Sequence, residues 1–240
     1  MFDERILKDI ARAYNSLVAS SEVSVAAGRI GWVGDLLPAE TALVSRATDE
    51  RRLEFAAGRW CARRALEQIG GPAVPILRGR LGNPTWPPGF AGSITHDGGV
   101  AAAAAYRVTR PGNPRLAIDL VDCSDRSRLA DIAPAILSNR DKSQLGYRID
   151  CSLMIAEVFS AKEAAVKILS ADLDRLVEFT EISVSPSQEG WFLAHPESSA
   201  NIYSYSLEVS SFLATVALCS GYAGSGGSAG GRAPGGEAVS

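Results

Sequence analysis

Three short apolar segments, residues 91–95, 100–106 and 116–121, lie between stretches of helical periodicity, and each is bounded by turn chemistry. Asp97-Gly98-Gly99 separates the first two, and Pro111-Gly112-Asn113-Pro114 separates the second from the third. They read as strands joined by turns, so sheet must alternate with helix along this chain. Upstream, residues 42–69 carry Leu53, Ala57, Trp60, Cys61, Ala65 and Leu66 at helical spacing, and Gly70-Gly71 ends the run. Downstream, residues 130–137 and 153–169 read as helices, the second burying Ile155, Val158, Phe159, Val166 and Leu169. Strand-like segments follow at 181–184, 191–194, 202–207 and 213–218. Helix then strands, twice over, predicts an α+β fold of two halves, 1–108 and 109–220. From Gly221 the sequence turns rich in Gly, Ser, Ala and Pro, and 221–240 is expected to be a disordered tail.

Composition removes several function classes. A formal net charge of −3 argues against general nucleic-acid binding, which needs clustered cations to neutralise phosphates. No apolar run approaches the roughly 20 residues of a membrane helix. Met1-Phe2-Asp3-Glu4-Arg5 lacks a basic segment followed by an apolar core, so a cytoplasmic protein is expected. The cysteines, Cys61, Cys123, Cys151 and Cys219, are scattered without a C-x-x-C pair and read as reduced, packed thiols.

Four constellations could carry chemistry, and each has a plain structural reading beside it. In the first helix Arg52, Arg59 and Arg63 share one face, either a solvated ion-pair surface or an anion clamp. Gly92-Ser93-Ile94-Thr95-His96-Asp97-Gly98-Gly99 either forms an ordinary turn or offers hydroxyl, imidazole and backbone donors to a phosphate. Asp119 sits in the apolar run Leu116–Val121, on the face shared by Ala117 and Val121. A carboxylate there needs a hydrogen-bonding partner or a divalent cation. Glu163 and Lys167 are four apart on a helix, which suits an exposed ion pair as well as a site.

Taken in order, these segments resemble one family. Arg51-Arg52-Leu53-Glu54-Phe55-Ala56-Ala57-Gly58-Arg59-Trp60-Cys61-Ala62-Arg63 is similar to the R-x-x-E-F-x-x-G-R-x-x-A-R stretch of phosphopantetheinyl transferases of the enterobactin-synthase-component-D and surfactin type. Trp86-Pro87-Pro88-Gly89 followed by Gly92-Ser93-Ile94-Thr95-His96 resembles the family's W-P-x-G…G-S-[IL]-[ST]-H element. Ala117-Ile118-Asp119 resembles its G-[IV]-D-x-E metal strand, and Phe159-Ser160-Ala161-Lys162-Glu163-Ala164 with Lys167 its [WF]-S-x-K-E-[AS]-x-x-K signature.

The resemblance implies two pseudo-symmetric α+β subdomains with coenzyme A in the cleft between them. It implies that Arg51, Arg59 and Arg78 contact coenzyme A phosphates, and that Thr95 and His96 line the nucleotide site. It implies that Asp119 and Glu163 ligate Mg²⁺, that Lys167 stabilises phosphate charge, and that Lys162 helps position the group. Glu163 is the implied base for the carrier serine. The implied partner is an acyl or peptidyl carrier protein, gripped in part by residues 124–150 with Arg126, Arg128, Arg140, Lys142 and Arg148, and the enzyme is expected to act as a monomer. Two departures stand out: Val121 replaces the usual second acid of the metal strand, and Ala117 replaces the usual glycine. A degenerate, non-catalytic coenzyme-A-binding relative is the alternative these departures leave open.

Overall fold

In Val100-Ala101-Ala102-Ala103-Ala104-Ala105-Tyr106 the side chains between valine and tyrosine are all methyl groups, so a strand here lets neighbours approach closely on both faces. The computed structural model describes residues 4–18, 20–32, 34–109, 115–146 and 152–220. Its elements are α1 (Glu4–Val18), β1 (Val23–Arg29), α2 (Pro38–Thr41), α3 (Asp49–Gln68), β2 (Leu77–Arg78), β3 (Pro84–Thr85), β4 (Phe90–Asp97), β5 (Val100–Arg107), β6 (Arg115–Asp122), α4 (Arg126–Ile136), α5 (Asn139–Leu145), α6 (Ser152–Leu173), β7 (Ser183–Pro186), β8 (Trp191–Ala194), β9 (Asn201–Val209) and β10 (Phe212–Ser220).

The alanine strand β5 is the middle of an antiparallel sheet ordered β1-β5-β4. Ala101, Ala103 and Ala105 pack with Ala57, Cys61 and Ala65 of α3. Ala102 and Ala104 join Ile10 and Tyr14 of α1 on the other face. Asp97 pairs with Val100, so Gly98-Gly99 forms the two-residue hairpin loop. Both glycines have positive φ, 54° and 78°, the primed turn that matches strand twist.

The expected helix over 42–69 is shorter than its periodicity suggested. Thr48, in extended backbone, caps α3 by accepting the Arg51 N–H at 3.3 Å, and residues 42–44 form a separate 3-10 turn.

The second sheet is ordered β6-β10-β9-β8-β7, with antiparallel neighbours throughout. On β6 the expected alternation holds. Leu116, Ile118 and Leu120 enter the core under α1, while Ala117 and Val121 enter the core under α6, with Asp119 between them. The cluster under α1 takes residues from both sheets, so the two halves share a core. Residues 110–114, with the expected proline-glycine turn, and the tail 221–240 lie outside the described residues.

No backbone ladder joins β4 to β6 among the described residues. Side chains on alternate residues of β4 do that work. The Ser93 hydroxyl donates to the Ile118 carbonyl at 3.3 Å, Thr95 Oγ1 accepts the Leu120 N–H at 3.2 Å, and Asp97 Oδ2 accepts the Asp122 N–H at 2.8 Å. Both series ascend together, so the strands run side by side and parallel. The open edge of β6 is thereby satisfied without closing the gap between the sheets.

Beside that seam Trp86 packs over Gly92. A Cβ at Gly92 would collide with the Ala104 carbonyl oxygen and with the Trp86 ring. Gly92→Ala is expected to cost about 1–3 kcal/mol of stability, read as a lower midpoint in denaturant unfolding with an unchanged slope.

Candidate active site

On α6, Ser160, Glu163 and Lys167 recur at i, i+3 and i+7 and share one face. That face lies over Asp119 of β6. Asp119 is only 5% exposed, so its carboxylate must find partners. Oδ1 accepts the Thr95 hydroxyl at 3.0 Å and the Lys167 ammonium at 2.8 Å, and Oδ2 accepts the Ser160 hydroxyl at 2.9 Å. Lys167 also donates to the Ile118 carbonyl at 2.9 Å. The three groups come from β4, from α6 and from about two turns further along α6, so both halves meet at this carboxylate.

Glu163 is half-buried beside the pair. Burial pushes its carboxyl up, Lys167 opposes that shift, and the negative charge of Asp119 adds to it. Two carboxylates brought this close favour a cation beside them. His96 stands across the gap. Arg51 Nη1 lies 3.1 Å from its Nε2. Arginine can only donate, so this nitrogen accepts and the ring is neutral. Burial lowers the His96 pKa, and the positive charges of Arg51 and Lys167 lower it further, against Glu54 and Asp97.

Arg51, Arg59 and Arg63 belong to α3, and Arg78 of β2 lies close enough to Arg59 to act on its charge. Arg59 is 5% exposed, stacks over the Phe55 ring at 4.1 Å, and donates to the Ile76 carbonyl at 2.6 Å. Burial pulls it down to about 10. Glu40 opposes this shift, while Arg78, Arg51 and Arg63 add to it. Glu40 is itself buried and already tied to Arg63 and to the Ile76 N–H. Arg78, exposed on β2, makes no hydrogen bond or ion pair among the described residues. Such crowding of guanidinium groups is relieved by an anion.

A cavity of about 960 Å³ opens between the halves next to Lys167. Its wall is mostly apolar, with Trp86, Tyr106, Leu116, Val166 and Leu176 among the lining side chains. Beside it Arg80, in the β2–β3 turn, donates to the Asp174 carbonyl at 2.6 Å and so ties the two halves together.

Lys162 is not part of this assembly, contrary to what the resemblance implied. It is fully buried, and its ammonium donates to Asp141 at 2.7 Å, the Ile136 carbonyl at 2.8 Å and the Phe179 carbonyl at 3.0 Å. All its hydrogens are used inside the C-terminal half. Thr95 is buried too, and its hydroxyl serves Asp119 and the seam. Val121 is fully buried in the core under α6. Asp122 does not replace the missing acid. The β6–β10 register runs without a bulge through Asp122, and its Oδ1 accepts the Ser124 N–H at 2.9 Å. Ser160, to which the resemblance gives no role, also joins the site, on the face its spacing from Glu163 and Lys167 dictates.

Two family models match the chain. One, described as the 4′-phosphopantetheinyl transferase N-terminal domain, matches residues 39–106. Another, described as the 4′-phosphopantetheinyl transferase superfamily, matches residues 115–221. The chain belongs to the 4′-phosphopantetheinyl transferase superfamily. Among relatives, it is 48% identical over 71 residues to 4′-phosphopantetheinyl transferase PptT of Mycobacterium tuberculosis, covering 30% of this chain and 31% of that protein. It is 31% identical over 137 residues to enterobactin synthase component D of Escherichia coli (strain K12), covering 55% of this chain and 62% of that one. The first match thus spans about a third of the relative's length. The holo-[acyl-carrier-protein] synthase of Thermotoga maritima, a solved structure, aligns with a TM-score of 0.36 at 20% identity, over 44% of this chain and 62% of that one.

Proposed function

We propose that this chain moves the 4′-phosphopantetheine group from coenzyme A to a serine hydroxyl of an acyl or peptidyl carrier protein, releasing 3′,5′-ADP. The observation that carries this reading is the convergence of Asp119, Glu163 and Lys167 at the seam, between a cluster of arginines and an apolar cavity. Arg51, Arg59 and Arg78 supply positive charge for the nucleotide phosphates, with Arg59 doing so from its buried post beside the others. His96, neutral and held by Arg51, borders the same site. The cavity takes the pantetheine arm.

Asp119 and Glu163 are hard oxygen donors of the kind that hold Mg²⁺. Among the described residues no group of three ligating side chains occurs, and Mg²⁺ is commonly held by one or two carboxylates plus substrate phosphates and water. The residues therefore fit that ion without the acid that Val121 replaces. When bound, it supplies charge neutralisation on the pyrophosphate. The chain's own residues do the rest. Lys167 has an N–H left over from Asp119 and Ile118 to place on a phosphate oxygen. Glu163 takes the proton of the carrier serine, whose oxygen forms the new bond to phosphorus as the bond to the ADP oxygen breaks.

The carrier meets the C-terminal half near α4 and α5, where Arg140 and Lys142 are exposed. Arg128 there is already paired with Asp97, and residues 147–150 lie outside the described residues. No helix among the described residues is long and apolar enough to cross a membrane, and a monomer acting in the cytoplasm completes the proposal. The test incubates the purified chain with coenzyme A, Mg²⁺ and a panel of apo-carrier proteins. At least one carrier should gain the phosphopantetheine mass with equimolar 3′,5′-ADP. Coenzyme A binding without ADP release from any carrier would overturn the reading.

A further inference from the structure

We propose that Ser160 is a positioning residue that selects the oxygen through which Asp119 meets a divalent cation. The inference rests on the metal-dependent reading above and follows from counting lone pairs. An ionised carboxylate has about four acceptor sites, two on each oxygen. On Oδ1 both are taken, by Thr95 at 3.0 Å and Lys167 at 2.8 Å. On Oδ2 one is taken, by Ser160 at 2.9 Å. The remaining site among the described residues is therefore on Oδ2, the oxygen that Ser160 holds.

Burial makes this orientation firm. Ser160 is 0% exposed, so no solvent competes for its hydroxyl hydrogen. A serine inside a helix often returns that hydrogen to the carbonyl four residues back; here it goes across to β6 instead. Ser160 precedes Glu163 by three residues on the same face of α6, so the helix that supplies the second acid also aims the first. Val121 sharpens the dependence. With no second carboxylate on that face of β6, Asp119 has no neighbour on the strand to compensate for a wrong rotation.

Outer hydrogen bonds of this kind typically change metal affinity about 10- to 100-fold. The test titrates Mn²⁺ into the full chain with saturating coenzyme A, follows the free-ion signal by electron paramagnetic resonance, and measures metal-free coenzyme A affinity in parallel. Ser160→Ala should weaken Mn²⁺ binding about 10- to 100-fold and leave metal-free coenzyme A affinity unchanged. Ser160→Thr, which keeps the hydroxyl, should stay near wild type. Ser160→Cys keeps the volume with only a weak donor and should follow alanine. Alanine binding Mn²⁺ like wild type, or threonine as weak as alanine, overturns the role of the hydroxyl. A wild-type chain that takes up no Mn²⁺ beside coenzyme A overturns the metal-dependent reading itself, and this inference with it.

Discussion

Glu163→Gln is expected to reduce carrier modification by about 10²- to 10⁴-fold, the range for loss of a general base. Glutamine keeps the shape and hydrogen-bonding reach of the side chain but can neither take a proton nor offer an anionic oxygen. Before any ion binds, burial, the first influence on this group, raises its carboxyl, and Lys167 opposes that rise. Protonation of Glu163 removes both the base and the anionic oxygen, so transfer should fail as pH falls. Mass spectrometry of a carrier incubated with the variant, coenzyme A and Mg²⁺ should show no added arm at times when wild type is complete. Near-normal conversion would remove Glu163 from the chemistry. Coenzyme A should still bind, because the arginine cluster around Arg59 is untouched.

Much of the site was legible because helical geometry is local. Glu163 and Lys167 stand one turn apart, and Ser160 one turn before them, so their common face follows from spacing alone. The same rule explains why Lys162 does not belong with them. Adjacent helix residues point about a quarter-turn or more apart, and the partner that captures Lys162, Asp141, comes from α5, a helix too short to show a periodic apolar pattern. Strand alternation likewise placed Asp119 correctly between Ala117 and Val121. What stayed hidden was non-local. Thr95 reads as a phosphate-facing hydroxyl until β6 is set beside β4, when its oxygen proves to be spent on Asp119 and Leu120. The elements before residue 42 were missed for a related reason. Ile6, Ile10, Tyr14 and Leu17 of α1 recur at helical spacing but find their partners in Ile118, Leu120 and Val216, far along the chain.

Lys162→Met should cost about 3–5 kcal/mol of stability, the usual penalty for removing one partner of a buried ion pair. The lysine and Asp141 both have fully buried side chains, and methionine fills the volume without supplying charge. Asp141 would keep the Ser138 N–H and hydroxyl and the Val184 N–H, at 2.9, 2.7 and 2.9 Å, but lose its cation. The carbonyls of Ile136 and Phe179 would lose a donor as well. The pair thus pins the end of α4, the start of α5 and the first turn after α6 to one another. Burial alone would raise the Asp141 carboxyl, but Lys162 and the bonds from Val184 and Ser138 hold it below its usual value. A depressed carboxylate contributes stability above its unfolded pKa and loses it as pH falls through the folded value. The difference between wild type and variant should therefore shrink in acid, as urea melts across pH would show. A direct coenzyme A contact makes the opposite forecast: stability near wild type with coenzyme A affinity lost. The folded fraction of the variant should instead bind coenzyme A normally, because every hydrogen of that ammonium is already committed inside the C-terminal half.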